Sequence, residues 1–166
     1  MNTINLLFLA LLMIFTSAVL AQSEPSLEES SSTTTEQIEL DIAREYLDIM
    51  NAFRKKIGLG NVYLDHEMSK VAKRHSKNMA LGKTEFGHVG FGRRCSMTKS
   101  IMGKANLCGE IVARGHKNSL RVFRGWMNSP GHRAKIVEDR YNYTGFGIYK
   151  DKSGRIYWTQ VFLEVK

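Results

Sequence analysis

The first 21 residues carry no Lys, Arg, Asp or Glu, and no basic residue appears before Arg44. Within that uncharged start, Leu6 to Phe15 is an unbroken apolar run. A run of about ten residues falls short of the roughly 20 that a membrane-spanning helix needs, which argues against an anchor. Val19-Leu20-Ala21 follows with a pattern that signal peptidase accepts, so residues 1–21 are expected to be a secretory signal cleaved after Ala21. Cysteine is nearly absent too: only Cys95 and Cys108 occur. In an oxidising compartment that even count favours one Cys95–Cys108 disulfide over a nucleophile or metal ligand. No Gly-x-Ser-x-Gly elbow exists, which removes a familiar seat for a serine nucleophile. No His-x-x-x-His ligand pair and no DNA- or RNA-binding motif occurs either, so no specific nucleic acid partner is expected.

What is present divides by composition. Eight Ser/Thr, four Glu and Pro25 fill residues 22–36, and nothing there can build a core. Residues 22–37 are therefore read as a disordered, O-glycosylatable tether, and 38–166 as one folded domain. Five acids (Glu24, Glu28, Glu29, Glu36, Glu39) lie before residue 41, whereas from residue 41 onward 24 bases face 11 acids, a net charge of +13. Such a domain could attract polyanions or an anionic membrane surface, although its bases are scattered, as in an ordinary basic secreted protein.

Ile38, Ile42, Ile49, Phe53 and Ile57 recur at helical spacing, so a helix is expected over Ile38–Ile57, ended by Gly58 and Gly60. Asp65 should cap a second helix with Met68, Val71, Ala72 and Met79 on one face and Gly82 at its end. His75 falls on or near that face and is given no role. Residues 86–103 are rich in Gly, Lys and Arg without periodicity and read as loop. Leu107–Arg114 reads as a strand holding Glu110, and Leu120–Met127 as a helix burying Val122, Phe123 and Trp126. Ser129, as a side-chain cap, and Pro130 should start a short helix with His132 in its first turn, where the dipole disfavours an imidazolium. Phe146–Tyr149 and Arg155–Val165 flank a hairpin loop at 151–154. In the last strand Ile156, Trp158 and Phe162 alternate with Tyr157, Val161 and Leu163, so both sheet faces should be covered. Helices first and strands last imply an α+β layered domain. Asn142-Tyr143-Thr144, in a polar turn, is an N-glycosylation acceptor triplet if the source is eukaryotic.

Three segments stand out: Phe86-Gly87-His88-Val89-Gly90-Phe91, Cys108-Gly109-Glu110-Ile111-Val112-Ala113 and Trp126-Met127-Asn128-Ser129-Pro130-Gly131-His132-Arg133. Each sets one ionisable side chain among glycines or aromatics. In order and surroundings they resemble the CAP superfamily, the domain of cysteine-rich secretory proteins, insect venom antigens and plant pathogenesis-related proteins. The Gly-Glu-Ile-Val-Ala and Ser-Pro-Gly-His-Arg segments look most like its compact bacterial and plant-like branch. The resemblance implies a three-layer α-β-α sandwich around a mainly antiparallel sheet. It also implies that His88, Glu110 and His132 converge in a cleft, where the family has two His and two Glu. The position of the second Glu is Ser129 here, as in the compact branch, which leaves a His-Glu-His set.

Three such ligands and a water would resemble an open zinc site, with His88 and His132 as the metal-binding candidates. A satisfied hydrogen-bond network is the plain alternative. Ser129 beside His132 could suggest a nucleophile, but capping already accounts for it. The leading expectation is a secreted, extracellular binding domain for a lipid, sterol, glycan or protein partner. A metal-assisted or acid/base hydrolase using the same triad and a polyanion or membrane-surface binder are its rivals.

Overall fold

The computed structural model describes residues 27–166, so the signal segment 1–21 and the start of the tether lie outside the described residues. Helix α1 (Leu27–Lys56) is followed by β1 (Tyr63–Leu64), α2 (His66–Ala80), α3 (Phe91–Met102), β2 (Ala105–Arg114), α4 (Ser119–Met127), α5 (Pro130–Ile136), β3 (Tyr143–Lys150) and β4 (Ile156–Val165). The sheet order is β1-β3-β4-β2. β4 pairs antiparallel with both β2 and β3, but β1 pairs parallel with β3. The sheet is therefore mixed rather than mainly antiparallel. A parallel strand cannot follow from a hairpin, and two residues are too few to show a period.

β4 organises the core. Trp158 and Phe162 point towards α1 and α4, joining Tyr46, Trp126 and Phe146 in the larger cluster. Val161 and Leu163 point the other way, onto Met68 and Ala72 of α2. The alternation read from the sequence holds on both faces. Tyr46 stacks on Phe146 at 4.4 Å between ring centroids and meets Trp126 edge-on at 5.4 Å. On the opposite face α2 lies so close to β3 that a Cβ on Gly147 would strike the backbone of Ala72 and Lys73. Asp65 caps α2, its side chain accepting from Met68 N–H at 2.7 Å.

Three local expectations change. α1 begins well ahead of Ile38, inside the segment read as a tether, because a nucleated helix gains one hydrogen bond per residue added. Its inward seam is Ala43, Tyr46, Met50 and Arg54, while Ile38 and Ile57 are exposed. α3 occupies what was read as loop. Its buried positions are Arg94 and Thr98, one turn apart, so apolar periodicity could not report it.

Arg54, at the end of α1, is wholly buried. Its guanidinium donates to four carbonyls: Gly60 at 2.8 Å, Ile136 at 2.7 Å, Glu138 at 2.8 Å and Tyr141 at 3.4 Å. It thereby fastens the C-terminal end of α5 and the approach to β3 onto α1. Burial lowers its pKa, against the opposing pull of Asp139 and Glu138.

Candidate functional site

Glu110 lies in the middle of β2, an outer strand, and shares a face with its cross-strand partner Val161. Its side chain is only 1% exposed, a placement that an unpaired carboxylate would oppose strongly. Arg94 of α3 supplies the partner in a bidentate pair. Its Nε donates to Oε2 at 2.6 Å and Nη2 to Oε1 at 2.7 Å, while Nη1 holds the Val89 carbonyl at 2.7 Å. His88 Nδ1 then donates to Oε1 at 2.9 Å, and its ring remains 51% exposed. A carboxylate can only accept, so the Nδ1 proton is fixed and Nε2 is the free nitrogen.

The loop bearing His88 is tied down on either side. The Arg114 guanidinium lies over the Phe86 ring at 4.6 Å, and Phe86 meets Tyr157 edge-on at 6.4 Å. His75 of α2 bonds the Gly87 carbonyl through Nε2 at 2.8 Å, so the helical histidine left without a role anchors this loop. Burial lowers its pKa, partly offset by that bond. Cys95 and Cys108 form a disulfide with 6.1 Å between Cα atoms, joining α3 to β2. Arg94 precedes one half-cystine and Glu110 follows the other by two residues, so the cross-link spans the ion pair. On the far face, a Cβ on Gly109 would strike the Tyr141 hydroxyl; this close approach fixes where β2 runs beside Glu110.

His132 occupies the first turn of α5. Burial lowers its pKa, and repulsion from His88 when that ring carries a proton lowers it further, which favours the neutral ring. The structure thus joins His88 and Glu110 directly and brings His132 within electrostatic reach. Ser129 has extended backbone before α5, but its side chain makes no cap bond. The expected side-chain cap is absent; its carbonyl instead accepts from Arg133 N–H at 2.8 Å, and Pro130 lacks an N–H to satisfy. Asn142 donates through Nδ2 to the Val165 carbonyl at 2.7 Å and accepts from Val165 N–H at 2.9 Å. The nitrogen that a glycan would modify therefore holds the end of β4.

The donor set does not fit zinc. Among the described residues no group of three His, Cys, Asp or Glu side chains is placed to hold a metal ion. Both Glu110 oxygens are engaged by Arg94, and a metal would have to displace a guanidinium that is itself buried. Sequence reasoning missed Arg94. The signal was available: once Cys95 and Cys108 are cross-linked, the base beside one reaches the acid beside the other.

Residues 47–162 match the CAP family, the Cysteine-rich secretory protein family. An uncharacterized Bacillus subtilis protein, YkwD, is 34% identical over 147 residues, which cover 86% of this chain and 56% of that protein. The structure of a Bacillus anthracis extracellular protein containing an SCP domain aligns with a TM-score of 0.68 at 27% identity, over 86% of this chain and 45% of that chain. An outer surface protein of Borrelia burgdorferi aligns with a TM-score of 0.63 over 76% of this chain and 94% of that chain; at 23% identity this is likeness of fold. The chain spans about half the length of the two Bacillus proteins. From α1 to β4, through each of the three segments that carry His88, Glu110 and His132, the chain belongs to the CAP family of cysteine-rich secretory proteins.

Proposed function

We propose that this chain is an extracellular or surface-exposed binding domain and that His88 is the polar contact for its ligand. One observation carries the reading: an imidazole half open to solvent is oriented by a buried carboxylate, itself clamped by Arg94. Such an imidazole offers one pre-oriented acceptor at Nε2, with neutral His132 nearby. That suits a hydroxyl or amide on a lipid, sterol, glycan or protein. The names of the extracellular and outer-surface relatives support the location.

Mass spectrometry of lipids co-purifying with protein from its native secretion, beside His88→Ala, tests the site. A lipid or sterol retained by the wild type and lost from the variant supports it; equal retention by both rejects His88 as the contact. The carboxylate-oriented ring also favours a second reading, general-base hydrolysis with water as nucleophile. Turnover of an ester or glycoside, abolished in His88→Ala, would decide for it. Binding that weakens steeply with salt would favour the +13 surface instead.

A further inference from the structure

β3 is longer than the strand beside it. β1 covers only Tyr143 and Thr144, with Tyr63 N–H donating to the Asn142 carbonyl and Asp65 N–H to that of Thr144. The chain then turns into α2, and from Phe146 onward no strand among the described residues lies against the outer edge of β3. In an antiparallel strand each residue aims its N–H and C=O to one side, and the side alternates along the chain. Thr144 faces outward to Asp65, so Phe146 and Ile148 do as well. The Phe146 N–H meets Ser69 Oγ at 3.1 Å. The Phe146 carbonyl and both main-chain groups of Ile148 meet no partner among the described residues.

These groups are not on open surface. Phe146 is 4% exposed and Ile148 6%, and main-chain groups at such burial are nearly always paired. They open into a narrow groove of about 70 Å3, walled by Leu40 and Ala43 of α1 and by Ser69 and Lys73 of α2. Lys73 reaches Glu39 at 2.5 Å, tying the two walls together.

We propose that this edge receives an extended peptide segment that adds to the sheet as a strand in line with β1. The open acceptor, donor and acceptor follow main-chain spacing, which another main chain satisfies and a hydrocarbon does not. Leu40 and Ala43 admit small apolar side chains. The site lies at the edge opposite β2, so it is separate from the His88 reading.

Amide NMR of the intact chain with the probe peptide acetyl-Thr-Val-Thr-Val-Thr-amide tests this. Without peptide the Ile148 amide exchanges rapidly with solvent deuterium. With peptide it shifts downfield and its exchange slows at least about tenfold, the worth of one hydrogen bond. Ile148→Pro, which deletes the outward N–H, binds about tenfold more weakly. Glu39→Ala, which frees the groove walls, binds more tightly, and His88→Ala binds like the wild type. Protection of Ile148 in the free chain, protection that rises with protein concentration alone, shifts confined to another surface, or equal binding by Ile148→Pro and Glu39→Ala would each overturn the proposal.

Discussion

The two outer edges of the sheet are finished in opposite ways. Along β2 the chain sets a buried acid, a buried base and an exposed imidazole, and fastens them with a disulfide. Even the outward carbonyl of Val112 is met there, by Trp126 Nε1–H at 3.1 Å. Along β3 one serine hydroxyl meets one N–H, and the following main-chain groups face a largely apolar groove. A polar edge built this way is rigid and specific, because each buried group depends on its partner. An edge flanked by two helices but by no strand keeps its hydrogen-bonding capacity for something that arrives from outside.

The largest expected effect falls on the polar edge. Arg94→Ala strands Glu110 in the interior and should cost about 3–5 kcal/mol in urea unfolding. Arg94→Met combined with Glu110→Leu should recover most of that loss, since it removes both charges together. Failure to recover would mean that the pair contributes specific packing as well as charge. Reducing Cys95–Cys108 should come next, at about 3 kcal/mol for a loop of this length. The same melt, with and without reductant, reads it. On the other edge, Gly147→Ala drives a methyl into the backbone of α2 and should cost about 1–3 kcal/mol. A neutral result would show that α2 can lift from β3 without penalty.

A pH series separates the edges differently. His75 and His132 have folded-state pKa values below the ordinary imidazole value of about 6.5. The unfolded chain therefore binds more protons than the native one in the window below that value. Stability should be complete above about pH 6.5 and fall as pH drops through the lowered native values. His132→Asn should flatten that slope in urea midpoints taken between about pH 5 and 7.5. The smallest effect belongs to Ser129→Ala, within about 0.5 kcal/mol, because no side-chain cap is lost. Asp65→Ala, which removes a real cap, should cost about 1 kcal/mol in urea unfolding.

The apolar part of the fold was legible in the sequence because apolar side chains repeat with the geometry of their element. Trp158 and Val161 alternate, and they do pack on opposite faces. Helix α3 was not legible, because its inward face is Arg94 and Thr98, which a hydrophobic pattern counts as surface. The mixed sheet escaped for a related reason: β1 is two residues long, and its partner is set by tertiary contact alone. At the site, His88, Glu110 and His132 were nameable from glycine- and aromatic-rich segments. What they do together was not. The zinc reading assumed a carboxylate free to bind metal, whereas Arg94 already occupies it.

Arg54 sets an order of assembly for this site. Its four carbonyl partners lie before β1, at the end of α5 and just before β3, so this clamp on α5 closes only once α1 has docked across some 80 residues of chain. The His88–Arg94–Glu110 half closes within a span of 22 residues. Short closures form early and long ones late, because loop entropy must be overcome first. The Arg54 clamp is therefore expected to close after the His88–Arg94–Glu110 set has formed. Pulsed hydrogen exchange during refolding should protect amides of α3 before those of α5; simultaneous protection would place both in one cooperative unit.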